Sequence, residues 1–422
     1  MFFSFWKEKS VKTPILFVGG GIVALASANI LARAGHAVQI IEPDHPPRGA
    51  SWGNAGHIAV EQVEPLASMA MVKSLPKRLY CRGGAASLPL RSATSWLPFS
   101  LRLLSAARPA RHRQGTAVLK QMLANAFPAW KRLTEATDTA HLLLESGHYI
   151  VWESADAAKE GMRAWMAADS GTARFRPATR AEIERIERLT DKPLAGAIYC
   201  EGSGQIADTG LLADGLRNSL LKLGGILQQG RVVAIRTEGG KAVADLEDGR
   251  MLRPAQIIVT AGARSGELLR PLGHNVPIID ERGYHIQSPV SEEAWPAAMP
   301  PVVFEERSMI ATRFTSGLRA ASFVEFSAPH APADKSKWER LHQHASAVGL
   351  PIAGDAAPWF GSRPTLPDYL PAIGRSDKAD NLYYAFGHQH LGLTLAATTG
   401  ESLAALLSGD APSPHLSLER FG

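Results

Sequence analysis

A glycine-rich turn between an apolar run and a helical pattern constrains the fold of this 422-residue chain more than any other feature. The apolar run Ile15–Val18 leads into three glycines at 19–21, and an alanine- and leucine-rich segment, Ile22–Ala34, follows. A second apolar run, Ala37–Ile41, ends at Glu42. Two short buried runs around one helix predict a β-α-β unit with parallel strands.

The glycines nearly match the dinucleotide fingerprint G-x-G-x-x-G. Gly19 suits the tight turn, Gly21 leaves room for a pyrophosphate, and Ala24 is small enough for close helix–strand packing. The pyrophosphate would lie at the N-terminus of the helix that begins with Ile22 and Val23. Glu42 can accept hydrogen bonds from ribose hydroxyls and would repel a 2′-phosphate. The unit therefore predicts FAD or NAD rather than NADP, and leaves the choice between them open.

Composition narrows the class of protein. Hydrophobic residues make up 45% and charged residues 20% of the chain, as in ordinary globular proteins, and the net charge of +5 predicts no nucleic-acid binding. With two cysteines, we expect no disulfide framework, no cysteine-rich metal site and a cytoplasmic setting.

Residues 1–12 are interpreted as a flexible leader. The apolar and basic stretch 97–113 leaves a peripheral contact with the inner membrane open.

Four further stretches indicate the cofactor by resemblance. They are Gly49–His57 (GASWGNAGH), Ile257–Ser265 (IIVTAGARS), Gly361–Gly374 (GSRPTLPDYLPAIG) and Gly387–Thr394 (GHQHLGLT). In this order they resemble the D-amino acid dehydrogenase group of the FAD-dependent D-amino-acid oxidase superfamily, which also includes glycine oxidase and sarcosine oxidase. The resemblance covers nearly the whole chain and is least distinct at 86–190 and 290–350.

The order of elements and the resemblance together predict an α/β fold. A Rossmann-type FAD-binding domain is interwoven with an α+β substrate domain built on a mainly antiparallel sheet. We assign 13–85, 191–278 and 358–418 to the FAD-binding domain, and 86–190 and 279–357 to the substrate domain.

The resemblance also implies which residues contact a non-covalently bound FAD. With those of the fingerprint, the predicted cofactor-binding residues are Gly19, Gly21, Ile22, Val23, Glu42, Ser51, Asn54, Ala55, Gly56, Val233, Ala261, Gly262, Arg363, Gly387, His388, Leu391, Gly392 and Thr394.

Arg363 is the best candidate for binding the carboxylate of the substrate, because its planar guanidinium matches a carboxylate and the family places an arginine in this segment. A structural pair with Asp368 is the alternative. Tyr284 is predicted to bind the same carboxylate or to close the pocket, and His285 should then face away from it. Arg313 and Arg319 are weaker candidates for a second carboxylate.

Two histidines depart from the family pattern. His57 replaces a common glutamine and His390 a smaller residue, and either imidazole could enter the pocket beside the flavin. We therefore include both with Arg363 and Tyr284 as catalytic candidates. His388 and His390 alone do not make a metal site, so no metal is expected.

The resemblance implies FAD-dependent dehydrogenation of an amino acid, and we expect a D-amino acid or a proline- or hydroxyproline-like imino acid of the D series. Hydride would pass from Cα to flavin N5 without an obligatory base and give an imino acid, and the electrons would go to a quinone or another acceptor. The alternatives are a glycine- or sarcosine-type oxidase that uses O2, an NAD-dependent dehydrogenase, and an FAD-carrying subunit of a larger amine dehydrogenase complex.

Overall fold

The computed structural model describes residues 13–44 and 49–422. The predicted leader, 1–12, lies outside the described residues. Within them, none of the helices combines the length and the apolar character needed to cross a bilayer.

The described residues form strands and α-helices in the following order of sequence. The strands are β1 (Ile15–Val18), β2 (Val38–Glu42), β3 (His57–Ile58), β4 (Ala86–Ser87), β5 (Leu143–Leu144), β6 (His148–Trp152), β7 (Arg174–Pro177), β8 (Gly196–Glu201), β9 (Gly204–Ile206), β10 (Ile226–Gln229), β11 (Val232–Glu238), β12 (Lys241–Leu246), β13 (Met251–Leu252), β14 (Gln256–Val259), β15 (Ile279–Ser288), β16 (Val302–Phe304), β17 (Met309–Phe314), β18 (Gly317–Ser327), β19 (Ala357–Thr365), β20 (Ala372–Arg375) and β21 (Leu382–Phe386). The α-helices are α1 (Ile22–Arg33), α2 (Met69–Arg78), α3 (Ala93–Ala106), α4 (Pro109–Ala124), α5 (Ala126–Ala136), α6 (Ala155–Ala167), α7 (Arg180–Thr190), α8 (Thr209–Lys222), α9 (Ser265–Leu269), α10 (Lys335–Ala347) and α11 (Gly392–Leu407).

A six-stranded sheet in the order β10-β2-β1-β14-β21-β20 carries the predicted nucleotide unit. Its strands pair in parallel except for the β20–β21 pair, which is antiparallel. Alternate residues of β1 belong to different cores: Ile15 and Phe17 pack with helices α1 and α11, and Leu16 and Val18 pack with the small sheet β11–β13. Both faces are covered, as a parallel sheet requires.

Helices α1 and α11 lie unusually close together. A Cβ at Gly400 of α11 would lie 2.6 Å from the side chain of Ile30 and 3.0 Å from the backbone of Ser27 in α1. The Trp130 indole of α5 donates to the carbonyl of Leu393, 3.0 Å away. These contacts fix the N-terminus of α11 relative to the glycine turn before α1.

The second large sheet has nine strands and is mainly antiparallel, in the order β19-β15-β18-β17-β16-β6-β8-β7 with β4 beside β18. The predicted fold class, a Rossmann-type domain interwoven with an α+β domain, is confirmed. The domain boundaries stay a prediction. Strands β8 and β19, which we placed in the FAD-binding segments, hydrogen-bond within the nine-stranded sheet.

Candidate active site

One large cavity, of about 2220 Å³, extends from the glycine turn to the nine-stranded sheet. Most of the predicted site residues line it: Gly19, Gly21, Ile22, Val23, Glu42, Ser51, Asn54, Ala55, His57, Val233, Ala261, Gly262, Tyr284, Arg363, His388, His390 and Gly392. Gly56, Gly387, Leu391 and Thr394 are not among the lining residues. The cavity therefore joins segments that are far apart in the sequence.

The glycine turn leaves no space for side chains. Gly19 has φ +101°, and a Cβ there would lie 2.8 Å from the carbonyl oxygen of Thr260. The carboxylate of Glu42 accepts a hydrogen bond from the Gly20 amide at 2.5 Å, which links the end of β2 to the turn. Burial raises the pKa of Glu42, although the hydrogen bonds from the amides of Gly20 and Asp44 act to lower it.

The loop at 51–56 is held by its own polar groups. The Ser51 hydroxyl accepts from the Ile22 amide at 3.1 Å, and the Asn54 side chain accepts from the Gly56 amide at 2.6 Å. Arg319 donates to the carbonyl of Asn54 and to the side chain of Gln287, so it supports the loop rather than facing a ligand. Arg313 bonds to three backbone carbonyls and does not line the cavity.

The turn before α11 lies at the cavity, where His388, His390 and Gly392 are among the lining residues. Gly387 and Gln389 both have positive φ, +82° and +45°, and the latter is strained for a non-glycine residue. The side chains of His388 and Thr394 are engaged inside the protein, with Thr399 at 2.9 Å and with the Ala59 amide at 3.0 Å. At this turn the protein therefore offers the helix N-terminus and its amides, which favour negative charge.

Arg363 lies on β19 beside Glu281 of β15. Its Nη1 donates to the carbonyl of Phe323 at 3.0 Å and lies 3.5 Å from the Glu281 carboxylate. A Cβ at Gly283 would lie 2.1 Å from Nη2 of Arg363, so the guanidinium lies flat against that glycine. The alternative partner, Asp368, instead pairs with Arg420 at 2.7 Å.

The two residues 284 and 285 face opposite sides of β15, as the strand period predicts. The Tyr284 hydroxyl donates to Glu325 and accepts from the Asp334 amide, both at 3.2 Å, while its ring lines the cavity. His285 hydrogen-bonds the carbonyl of Gly53 at 2.8 Å and is absent from the lining. With its hydroxyl occupied, Tyr284 presents its ring rather than a donor to the cavity.

A group of histidines lines another part of the cavity. His390 lies 2.5 Å from the side-chain oxygen of Gln62, and His57 lies 3.1 Å from the carboxylate of Glu61. Burial lowers the pKa of His390 to about 3, and that of His148 likewise to about 3, so both rings are neutral. Burial acts to raise the pKa of Glu61, but His57 and His148 outweigh it and hold this pKa below its usual range.

Sequence reasoning missed Glu281, Glu61, His148 and Trp359 as residues of this cavity. Glu61 follows His57 by four positions, but their contact arises in a loop after β3. Glu281 and His148 lie in strands, where no motif marks them, and only the pairing of distant strands brings them to the cavity.

The β-α-β unit with its glycine turn, and the cavity that leads from it to a side-chain-lined pocket, define a dinucleotide-dependent oxidoreductase. A family model described as "FAD dependent oxidoreductase" matches residues 15–406, and the chain belongs to that family. FAD is therefore its cofactor, and the resemblance inferred from the motifs is confirmed.

Relatives and solved structures agree with this assignment. The chain is 28% identical to a D-amino-acid oxidase of Bradyrhizobium diazoefficiens, over 94% of this chain and 96% of that protein. It is also 28% identical to D-amino acid dehydrogenase 2 of Ralstonia nicotianae, over 94% and 97% of the two chains. Glycine oxidase from Geobacillus kaustophilus has a similar fold, with a TM-score of 0.70 at 20% identity over 96% of this chain and 98% of that one.

The residues fit FAD. The glycine turn lies at the cavity and carries no side chains at 19–21, and the Glu42 carboxylate stands at the end of β2, where the ribose hydroxyls of an adenosine are expected. The cavity continues from there past Ser51 and Ala55 to the N-terminus of α11.

Proposed function

We propose that this protein oxidises a D-amino acid, including D-proline-like substrates with a secondary amine, to the corresponding imino acid. The observation that carries the proposal is the guanidinium of Arg363, which lies in the cavity with part of its hydrogen-bonding capacity unused. The names of the curated relatives, D-amino-acid oxidase and D-amino acid dehydrogenase, support this substrate class.

The partners of Arg363 leave room for a carboxylate. Only Nη1 is engaged, and among the described residues Nη2 and Nε have no hydrogen-bond partner. Glu281, the neighbouring acid, is held by the hydroxyls of Thr365 and Tyr369 at 3.1 and 3.0 Å. Those bonds keep Glu281 from swinging over the guanidinium, so a two-pronged contact with substrate stays open.

The side chains bind and orient the substrate. Gly19, Gly21, Glu42, Ser51 and the turn before α11 would hold FAD, which supplies a two-electron acceptor when bound. Arg363 would fix the substrate by its carboxylate, and the Tyr284 ring would exclude water from one side. His390 is neutral and bonded to Gln62, so it is suited to shaping the pocket rather than to carrying a charge.

Anaerobic mixing with a panel of D- and L-amino acids tests the proposal. We expect one or more D-amino acids to bleach the visible flavin absorbance, with their L-enantiomers reacting more slowly. Bleaching by no amino acid would contradict the proposal and favour an FAD-carrying subunit. Bleaching by glycine or sarcosine alone would favour the oxidase alternative.

We also propose that the electrons pass to a quinone in an anionic membrane. Residues 65–134 contain 12 Lys and Arg and no Asp or Glu. Helix α3 exposes Leu97, Leu101 and Leu104 on one face, and Leu104 also lines the cavity. Exposed leucines within a basic region suit an anionic lipid surface, and the position of Leu104 at the cavity supports a contact near the flavin site.

Vesicle sedimentation tests the membrane contact. Anionic vesicles should bind the wild type and lose most of that binding for the double variant Leu97→Ser and Leu101→Ser. Leu211→Ser with Leu221→Ser, which removes two exposed leucines of α8, is the matched control and should bind as the wild type does. Equal binding of all three proteins, or faster reoxidation of the reduced flavin by O2 than by a soluble quinone, would contradict this assignment.

A further inference from the structure

Three side chains with ligand atoms for a metal meet at the wall of the cavity. His57 belongs to β3, Glu61 to the loop after it, and His148 to β6 of the nine-stranded sheet. One ligand atom from each lies within 4.8 Å of the others. The two imidazole rings pack edge to face, with centroids 4.6 Å apart. We call these residues the His-Glu-His cluster.

One short segment, Ser203 and Gly204, orients both rings. Nδ1 of His57 lies 3.1 Å from the carbonyl oxygen of Gly204 and must donate its proton there. Nδ1 of His148 is hydrogen-bonded to the Ser203 hydroxyl at 2.7 Å. Metal-binding histidines are held in this way, because the bond at one ring nitrogen aims the other nitrogen at the ion.

The acceptors of the cluster need a positive partner. With a proton on Nδ1, the lone pair of His57 Nε2 faces the Glu61 carboxylate at 3.1 Å, and two acceptors cannot bond without a proton or cation between them. The other oxygen of Glu61, Oε2, is buried and has no hydrogen-bond partner among the described residues. A buried carboxylate oxygen without a partner is costly, and a cation would satisfy it.

We propose that His57, Glu61 and His148 bind one divalent transition-metal ion, with Zn²⁺ as the best match. Two imidazoles and one carboxylate form the ligand set of open zinc sites, whereas Mg²⁺ and Ca²⁺ prefer oxygen ligands only. All three residues line the cavity, so water or a substrate oxygen can complete the coordination. The ion would tie the loop after β3 to the nine-stranded sheet beside the substrate pocket.

This site differs from the histidine pair that the sequence draws attention to. Nε2 of His388 is bonded to Thr399 and Nε2 of His390 to Gln62, so one ring nitrogen of each is already used. The expectation of no metal rested on that pair. The His-Glu-His cluster depends on contacts between segments that sequence reasoning did not join.

Metal analysis of the tag-free holoenzyme tests the proposal independently of the amino acid oxidised. After purification without chelator, elemental analysis should find one zinc per chain. Following EDTA treatment, equilibrium dialysis with Zn²⁺ should show binding that weakens by at least about 100-fold in Glu61→Gln and in His148→Gln, since each loses a ligand. His141→Gln, at an exposed histidine outside the cluster, is the control and should bind as tightly as the wild type.

Flavin absorbance and far-ultraviolet circular dichroism show whether each variant keeps its fold and FAD. Zinc well below one equivalent per wild-type chain, both as purified and after dialysis, would overturn the proposal whatever the variants do. So would equal Zn²⁺ affinity in the wild type and a folded Glu61→Gln. Either result would leave a second proton on His57, paired with Glu61, as the cation of the cluster.

Discussion

The two ends of the cavity recognise their ligands by different means. At the nucleotide end, the recognising groups belong to the backbone. They lie in the glycine turn, which has no side chains at 19–21, and at the N-terminus of α11. At the substrate end, charged side chains such as Arg363, Glu281 and Glu61 come from distant strands and loops. A short motif can therefore encode a backbone cradle, whereas a pocket of side chains depends on the tertiary fold.

The largest effect should come from a side chain that distorts the glycine turn. Gly19→Ala adds a Cβ 2.8 Å from the Thr260 carbonyl in a backbone conformation with φ +101°. We expect the protein to purify without FAD and without activity. Gly224→Ala is the matched control: its φ is +79°, but its Cβ meets nothing within 4 Å, so it should cost only about 1–2 kcal/mol and keep FAD. Equal flavin content in both variants would contradict the steric role of Gly19.

Arg363→Ala should come next, because it removes the substrate contact and leaves the cradle intact. Two charge-assisted hydrogen bonds of about 1.5–3 kcal/mol each correspond to a loss of about 10²–10⁴-fold in kcat/KM for flavin reduction. Flavin content should not change. Arg236→Ala, at an exposed arginine paired with Asp245, should leave kcat/KM unchanged. A similar loss in both variants would show that the effect is not specific to the pocket.

The buried charges behind the pocket should matter for stability rather than for FAD binding. Lys337 is fully buried, 3.8 Å from the equally buried Glu325, whose carboxylate accepts from the Tyr284 hydroxyl. Lys337→Met removes a positive charge that stabilises this buried carboxylate, and it should lower the free energy of unfolding by about 3–5 kcal/mol. The exposed Lys335→Met should change it little. Denaturant titration measures both, and equal midpoints would contradict the prediction.

The smallest effect should come from Glu42→Gln. An amide keeps the shape of this side chain but loses the charge that favours hydrogen bonds from ribose hydroxyls, at a cost of about 1–2 kcal/mol, or about tenfold in FAD affinity. Titration of the apoprotein with FAD measures it. Gln39→Glu, three residues earlier on β2, tests whether a carboxylate elsewhere on the strand has any effect, and none is expected.

The contrast between the two ends also explains how much the sequence could predict. The strand before Gly19, helix α1 and Glu42 lie within one continuous unit, so spacing alone located them. The resemblance added the segments near Ser51, Arg363 and Gly392, and all three line the same cavity. Trp359 and Glu281 carry no local signal, because strand pairing between β15 and β19 brings them there.

The secondary structure shows the same limit of local reasoning. The helical spacing of apolar residues over 117–136 predicts one helix that Pro128 kinks or divides. The helical region is divided, but at Asn125, between α4 and α5. A proline is tolerated in the first turn of a helix, where its missing N–H has no partner to lose, and Pro128 occupies that position in α5.

A comparison of two substrates measures whether Arg363 holds the substrate by its carboxylate. It is the anaerobic rate of flavin reduction by a D-amino acid and by its carboxamide, measured for the wild type and Arg363→Ala. In the wild type, the carboxamide should react at least about 100-fold more slowly, since it loses charge-assisted bonds to the guanidinium. In Arg363→Ala, the two substrates should react at similar rates. If the variant still prefers the carboxylate as strongly as the wild type does, Arg363 is not the group that binds it.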